Sequence, residues 1–316
     1  MAEGRPILIT GAHRSGTTWC GRVLASQPDV FYVDEPFHLN HPPGIFPVRV
    51  GRWFEHVPKN YMGRYEEAMQ QTVHLKFALL SQLRAALRGE RQKAKNGWRG
   101  AIEAFQEWGR WTRARWQEKR PLLKDPIALF SAEWIAERFD AQVIVMVRHP
   151  AGFVHSLRRA GWTHDFSSFT EQPALLEGVL APFAEEIRRA ESDPGDIVEQ
   201  AILLWKIMYH VVDRYRERHP DWTFVRNEDL GAHPMKHYRM LCQHLNLSFD
   251  SRMKQTVHEF TGAEDQDTDE TPLHAVRRDS EAEVWKWKNE LNYETIHRVK
   301  KGTSPVWENF YTNKEW

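Results

Sequence analysis

The chain alternates short apolar runs with longer segments of helical spacing. Apolar runs predict buried strands at residues 7–9, 30–33, 121–126, 142–147 and 222–225. The run at 142–147 is apolar on both faces, which is typical of a central strand in a parallel sheet. Because helical segments separate these strands, the pattern predicts an α/β fold with a mostly parallel sheet and helices on both faces.

Helical spacing dominates the stretch between the second and third predicted strands. It covers residues 64–118, with breaks near Gly89, Gly97 and Gly109. We therefore predict a helical insert at about 52–120 within a single domain that spans residues 1–316. Further helices are predicted at 127–138, 174–192, 196–218, 234–247 and 292–301.

A glycine-bearing turn joins the first strand to the first helix and predicts a P-loop-type phosphate-binding loop. Gly11 and Gly16 have the spacing of the nucleotide-triphosphatase pattern, and Thr18 occupies its serine/threonine position. Thr17 stands at the lysine position, however, and the basic residue is Arg14, inside the loop. A nucleoside triphosphate with magnesium is therefore not expected. The alternative is an ordinary strand–helix turn in which the glycines serve packing.

The donors of this turn suit a single phosphate group. Backbone N–H groups at a helix start lack partners within the helix, and the helix dipole adds positive charge there. Hydroxyl and guanidinium donors come from four residues of the loop: Arg14, Ser15, Thr17 and Thr18.

Polar residues also follow the second and third predicted strands. Asp34, Glu35 and His38 follow the second strand, which we expect to run beside the first strand and so bring them near the loop. Lys124 ends the next strand. The alternative is an acidic loop whose turn is set by Pro36.

The strand at 142–147 carries a second candidate phosphate site. It ends at Arg148, and Ser156 lies about two turns into the helix that follows, so both side chains can face one crevice. The alternatives are a surface salt bridge for Arg148 and a helix-surface position for Ser156.

Composition narrows the functional classes. The formal net charge of the 316 residues is zero, so no global charge argues for nucleic-acid or membrane-surface binding. Two cysteines do not suggest a disulfide framework, and no apolar run is long enough to span a bilayer. The first strand begins by Ile7, so we expect no signal peptide and a cytoplasmic protein.

One region is locally basic and rich in tryptophan. Between Arg84 and Arg120 there are 11 Lys/Arg residues against 4 Glu, with four tryptophans interleaved: Trp98, Trp108, Trp111 and Trp116. The simpler interpretation is a solvated basic helical face. The sharper one is a basic, aromatic-lined lid for an anionic cofactor or a sugar-like acceptor.

The two phosphate motifs together resemble those of sulfotransferases that use 3′-phosphoadenosine 5′-phosphosulfate (PAPS). In that family a loop [KR]-x-G-[ST]-[ST], often followed by an aromatic residue, holds the 5′-phosphosulfate. The segment Arg14-Ser-Gly-Thr-Thr-Trp19 matches this pattern. An Arg at a strand end and a Ser eight residues later hold the 3′-phosphate, as Arg148 and Ser156 match. The resemblance implies these cofactor-binding residues: Arg14, Ser15, Gly16, Thr17, Thr18, Trp19, Arg148, Ser156 and Arg278.

Other segments narrow the resemblance. The Glu35-Pro36 pair is similar to one in carbohydrate sulfotransferases, and the tail from Arg278 to Tyr311 resembles soluble bacterial members. The Arg-Lys-Gly signature of the phenol and steroid enzymes is matched only in part, at residues 277–278 and 300–302. The membrane anchor of the Golgi enzymes is not seen, so a bacterial, cytoplasmic enzyme is expected.

The resemblance implies sulfuryl transfer from PAPS to an acceptor hydroxyl or amine by in-line displacement, giving 3′-phosphoadenosine 5′-phosphate (PAP) and no need for a metal. Glu35 would be the general base, with His38 second, Lys124 assisting and Arg14 neutralising the leaving phosphate. A small molecule or carbohydrate is the expected acceptor, without nucleic acid or a membrane span. The alternatives are a P-loop kinase of a small metabolite and a non-catalytic PAP-binding protein. The oligomeric state is not predicted.

Overall fold

The computed structural model describes residues 4–89, 96–261 and 280–316. Its five-stranded sheet has the strand order β2-β3-β1-β4-β5. The ladders β1–β3, β2–β3 and β4–β5 are parallel, which confirms the predicted α/β class. The strands are β1 (Ile7–Gly11), β2 (Val30–Asp34), β3 (Arg120–Lys124), β4 (Gln142–Val147) and β5 (Thr223–Arg226).

Sixteen α-helices occur in the described part of the chain. They are α1 (Thr17–Leu24), α2 (Arg64–Val73), α3 (Leu79–Arg88), α4 (Gly97–Trp116), α5 (Ala132–Phe139), α6 (Pro150–Ala160), α7 (Ser167–Thr170), α8 (Pro173–Leu176), α9 (Ala184–Ser192), α10 (Ile197–Arg218), α11 (Asn227–Ala232), α12 (Pro234–Leu245), α13 (Ser251–Thr261), α14 (Ser280–Trp285), α15 (Trp287–Glu290) and α16 (Tyr293–Thr303). Contacts divide the chain into two compact units: residues 1–10 with 27–143, and residues 11–26 with 144–316.

The first unit contains β2 and β3, paired in parallel, with β1 on the other side of β3. Leu122 of β3 lies opposite Ile7 of β1 and Tyr32 of β2. The expectation that β2 runs beside β1 is therefore wrong. All five residues of β3 are buried, as a central strand requires, but its charged ends Arg120 and Lys124 hide that position in the sequence.

The insert of the first unit is helical, as the spacing predicts, but one of its predicted breaks is wrong. α3 ends at Arg88 and α4 begins at Gly97, near two of the predicted breaks, whereas α4 continues through the third, at Gly109. Added side-chain volume at Gly109 would meet nothing within 4 Å, so this glycine lies on an open face of α4. Trp111 is buried against Phe31, with ring centroids 5.2 Å apart, and anchors the helix.

The second unit is built around α10, whose 22 residues match the predicted helix at 196–218. Asp196 caps it, because its carboxylate accepts hydrogen bonds from the N–H groups of Val198 and Glu199. The predicted helix at 174–192 is instead two helices, α8 and α9, joined by a turn and a short 3₁₀ segment. Pro182 explains the interruption, because proline cannot donate the backbone hydrogen bond of a helix interior.

A buried histidine starts α6 in the second unit. His149 is fully buried, and its Nδ1 accepts a hydrogen bond from the Ala151 N–H at 3.2 Å. Its ring stacks on Trp287, with centroids 4.6 Å apart. Burial lowers the pKa of His149 well below 6.5, and the charge of Lys288 lowers it further. The folded protein therefore keeps this imidazole neutral.

We predict that His149→Asn flattens the pH dependence of stability. Between pH 7 and 5 the unfolded chain binds a proton at His149 that the folded chain does not. The free energy of unfolding therefore decreases as the pH is lowered from 7 to 5. By pH 5 this loss is about 2 kcal/mol for one such histidine. Asn retains an acceptor oxygen but does not titrate. Urea unfolding at both pH values should show a lower stability at pH 7 and a smaller drop to pH 5; an unchanged drop would contradict the prediction.

Candidate functional site

The phosphate loop begins where β1 ends. Gly11 has φ 134°, and a Cβ there would lie 2.3 Å from the Met146 carbonyl oxygen, so this position requires glycine. Gly16 has φ 92° and precedes α1; a Cβ there would lie 2.3 Å from Asn227 Oδ1. Arg14 also has a left-handed backbone, with φ 63°. The loop therefore has a specific bent shape that its two glycines make feasible.

The helix that follows leaves its N-terminus available to an anion. The N-cap residue of α1 is Gly16, which has no side chain to cap the helix, and the first turn of α1 has no acidic residue. The N–H groups of a first helical turn have no partners within the helix, so they remain donors. Ser15 uses its hydroxyl inside the loop, donating to the Ala12 carbonyl, while Thr17 is buried and Thr18 is exposed. Trp19 packs edge-on against Tyr238 of α12.

Two arginines and a serine meet beside this loop. Arg14 Nε donates to Ser156 Oγ at 3.0 Å, and an Nη of Arg148 donates to the Arg14 carbonyl oxygen. The Arg14 guanidinium also lies 5.3 Å from the centroid of the Trp162 ring. The structure thus brings together Arg14, Arg148 and Ser156, which the sequence assigned to two separate motifs.

The backbone of Arg148 is held from α10. Its N–H donates to the Tyr209 hydroxyl at 2.6 Å, and its carbonyl accepts from Trp205 Nε1 at 3.0 Å. In the described part of the chain, Arg148 Nε is buried without a hydrogen-bond partner. Burial lowers the pKa of Arg148; Glu228 opposes this shift and Arg14 adds to it. An anion beside this guanidinium would relieve both the missing bond and the burial of its charge.

A second group of charges lies in the first unit. Lys124 is buried, and its Nζ donates to Glu35 Oε1 at 2.5 Å and lies 2.7 Å from Asp34 Oδ1. Burial opposes the lysine charge, but the two carboxylates outweigh it and raise the pKa of Lys124. Glu35 itself has φ 43°, a left-handed conformation that is costly for a residue with a Cβ. This arrangement holds the Glu35 carboxylate in a defined position.

Asp125 forms hydrogen bonds with the backbone of the loop that follows β2. Its carboxylate accepts from the N–H of Phe37 at 2.6 Å, and from those of Ile127 and Ala128 at 3.0 and 3.1 Å. Burial raises the pKa of Asp125 to about 7, and the charge of Glu35 contributes. His38, a little further along, accepts at Nδ1 from the Asn40 N–H at 3.0 Å and meets Trp53 edge-on.

A cavity of about 590 Å³ opens beside this second group. Glu35 and His38 line it, together with three arginines: Arg49, Arg84 and Arg88. The basic and the aromatic residues of the predicted lid therefore lie in different places. Arg84 and Arg88 of α3 face this cavity, whereas Trp98, Trp108 and Trp116 of α4 are exposed.

The predicted site residues in the described part of the chain therefore form two groups. One further predicted residue is not among the described ones. Arg278 lies outside the described residues. Sequence reasoning gave no role to four supporting residues: Trp162, Trp205, Tyr209 and Asp125. Asp125 follows Lys124 at a strand end, which is a usable signal, but nothing in their local sequence links the three aromatic residues to Arg14 or Arg148.

Within residues 4–89, 96–261 and 280–316, no helix is long and apolar enough to cross a membrane. Across the same ranges, no group of three or more His, Cys, Asp or Glu side chains could hold a metal ion.

Comparison with known proteins gives one family match. The sequence model of the family described as "Sulfotransferase family" matches residues 6–251. No curated protein matches the chain.

Several solved structures are similar. The sulfotransferase domain from the curacin biosynthetic pathway is 17% identical, with a TM-score of 0.49 and 98% of each chain covered. The sulfotransferase domain of the olefin synthase of Synechococcus PCC 7002 is 18% identical, with a TM-score of 0.46 and 95% of each chain covered. Sulfotransferase STF9 from Mycobacterium avium is 14% identical, with a TM-score of 0.44, covering 97% of this chain and 77% of that one.

We predict that Asp125→Asn destabilises the protein. An amide of the same size has one acceptor oxygen, so its NH₂ group would face a backbone N–H that the carboxylate now accepts. A buried donor left unsatisfied costs about 1–3 kcal/mol. Chemical denaturation at pH 8 should show a loss in this range. Asp140→Asn is the matched control, since Asp140 is an exposed carboxylate of the same unit, and it should change stability by far less. Equal effects of the two variants would contradict the supporting role.

Proposed function

The chain belongs to the sulfotransferase family, and we propose that it transfers a sulfuryl group from PAPS to an acceptor hydroxyl or amine, leaving PAP. The bond between sulfur and the donor phosphate oxygen breaks as a bond to the acceptor oxygen or nitrogen forms, and the acceptor proton passes to a base. The observation that carries the donor assignment is the buried Nε of Arg148, which has no hydrogen-bond partner among the described residues and lies in the group that Arg148 forms with Arg14 and Ser156.

The second unit offers donors for both phosphate ends of PAPS. We assign the 5′-phosphosulfate to the N–H groups of Gly16, Thr17 and Thr18 and to the Thr18 hydroxyl, at the uncapped start of α1. We assign the 3′-phosphate to Arg148 and Ser156. The first turn of α1 has no acidic side chain that would repel the 5′-phosphosulfate. Arg148 Nε has no hydrogen-bond acceptor among the described residues, so a 3′-phosphate oxygen could supply one.

Arg14 is our candidate for stabilising the departing phosphate. Its guanidinium is exposed, yet Ser156 and the Trp162 ring hold it in place, so it is partly preorganised. Sulfuryl transfer through a loose, in-line displacement depends mainly on positioning and charge stabilisation, by analogy with phosphoryl transfer. Because Thr17 replaces the lysine that serves triphosphates, we propose that no divalent metal is required.

Glu35 is our candidate for the general base that takes the acceptor proton. Its carboxylate lines the cavity of the first unit, and Lys124 holds it at 2.5 Å. That ion pair fixes the position of the carboxylate, and a general base must be positioned within reach of the proton that it removes. His38 lines the same cavity and is the second candidate. The competing role for Glu35 is structural: it could serve only to neutralise buried Lys124.

We predict that Arg148→Ala weakens the binding of PAP far more than that of adenosine 5′-phosphate. A lost charge-assisted hydrogen bond costs about 1.5–3 kcal/mol, and only PAP carries the 3′-phosphate that Arg148 would contact. Isothermal titration calorimetry measures both affinities. The matched control is Arg159→Ala, which removes the same charge from an exposed position of α6 and should leave both affinities within a few-fold.

The same titrations separate the alternatives. Equal losses for PAP and adenosine 5′-phosphate would overturn the assignment of Arg148. Tighter binding of ATP with Mg²⁺ than of PAP would favour a small-molecule kinase. Tight PAP binding without sulfuryl transfer to any acceptor would favour a non-catalytic PAP-binding protein.

We predict that Glu35→Gln lowers kcat by about 10²–10⁴-fold and leaves PAP affinity within a few-fold. Glutamine keeps the size and much of the hydrogen bonding of glutamate but does not accept the acceptor proton. Asp34→Asn is the matched control, because Asp34 contacts the same lysine at 2.7 Å but is more exposed. It should change kcat by far less.

Two results would reassign Glu35. Near-normal kcat in the Glu35→Gln variant would exclude Glu35 as the base and move the proposal to His38. Equal losses of kcat and of thermal stability in both the Glu35 and Asp34 variants would indicate that the carboxylates serve only to neutralise Lys124.

A further inference from the structure

The cavity beside Glu35 is unusually rich in arginine. Its walls include Arg49, Arg84 and Arg88, together with Glu35 and Asp34. Both of these carboxylates contact the buried ammonium of Lys124, at 2.5 and 2.7 Å, so the lysine already offsets much of their charge. Three guanidinium groups thus line the cavity, beside two carboxylates that are already paired with Lys124.

The arginines of α3 reach the cavity because of helical periodicity. Ser81, Arg84, Ala85 and Arg88 are spaced three, four and seven positions along one face of α3, and all four line the cavity. The neighbouring Gln82 is buried and accepts a hydrogen bond from the Gly44 N–H at 3.0 Å. That bond orients α3 against the loop that forms another wall.

The remaining walls are held in place before any ligand binds. Thr72 donates from Oγ1 to the Ile45 carbonyl at 2.7 Å, and the Ala78 N–H donates to the Gly44 carbonyl at 2.8 Å. Behind the loop, the ring of Phe46 lies 5.6 Å from that of Phe37. A preformed cavity of about 590 Å³ falls within the range of roughly 300–1,000 Å³ for small-molecule sites.

We propose that the acceptor carries an anionic group in addition to the hydroxyl or amine that receives the sulfuryl group. Arg84, with Arg49 and Arg88, binds that carboxylate, phosphate or sulfate and so orients the acceptor toward Glu35 in the same cavity. Guanidinium groups suit such oxyanions because they donate in a planar fork. The proposal rests on the proposed sulfotransferase function, which it extends by naming the acceptor class.

The test uses matched pairs of probes on the full chain saturated with PAP, which occupies the phosphate loop and prevents anions from binding there. The pairs are D-glucose with D-glucuronate, and benzyl alcohol with 4-(hydroxymethyl)benzoate; glucose 6-phosphate and glucose 6-sulfate distinguish the anion types. Ligand-observed NMR titration at constant ionic strength gives each dissociation constant. The anionic member of each pair should bind about three- to tenfold more tightly than the neutral one.

Three variants assign that preference to the cavity. Arg84→Gln should abolish most of it, and Arg84→Lys should retain part of it, because lysine keeps the charge but not the fork. Arg113→Gln is the matched control: Arg113 is an exposed arginine of the same insert that does not line the cavity, and its loss should change nothing.

The outcomes separate this proposal from the proposed function. Equal binding of neutral and anionic probes to the PAP-saturated protein would overturn the acceptor class and leave the donor assignment intact. An anion preference that survives Arg84→Gln, or that Arg113→Gln removes equally, would also overturn it. If PAP does not bind at all, the donor assignment fails, and the probe preference measured without PAP still decides the role of Arg84.

Discussion

The buried ammonium of Lys124 constrains the loop that follows β2. A charge that is only 3% exposed must be paired, because its transfer from water is costly without a counter-charge. Asp34 and Glu35 supply that charge, and the backbone of Glu35 adopts a left-handed conformation in the structure that does so. The loop after β2 is therefore shaped by the residue that ends β3. The carboxylate proposed as the base is thereby held in a defined position at the wall of a cavity.

The second unit brings Arg14, Arg148 and Ser156 together beside the phosphate loop. Its helix start has no acidic side chain, and the arginine behind it has a buried nitrogen with no partner in the described residues. Tyr209 and Trp205 of α10 fix the backbone of that arginine from both sides of the peptide. Because this backbone is held, Arg148 has less freedom to lose when an anion binds, which favours selective recognition of a phosphate. Such an arrangement suits a group that is recognised by charge and position.

In the proposed reaction, the residues of the two units are assigned different roles. Residues of the second unit are assigned to the nucleotide donor, and residues of the first are assigned to proton removal and to the acceptor. The arginines of α3 line the cavity of the first unit, and we propose that they bind the acceptor. The alternative roles of Glu35, as a base or as a counter-ion for Lys124, make different demands: a base needs its proton affinity, whereas a counter-ion needs only its charge.

Features that depend on local spacing could be predicted from the amino-acid sequence. The strand, the glycine-bearing turn and the start of α1, the apolar run of β4, the eight-residue interval from Arg148 to Ser156 and the extent of α10 all follow from patterns within about twenty residues. Family membership likewise agrees with the resemblance of those two motifs. In contrast, the neighbours of each strand and the contacts between distant side chains are seen only in the folded chain. Arg14 and Ser156 are 142 residues apart in the chain, and Glu35 and Lys124 are 89 apart. Such contacts depend on strand order, and β3 enters between β1 and β2 only after the helical insert, so no local pattern could place it there.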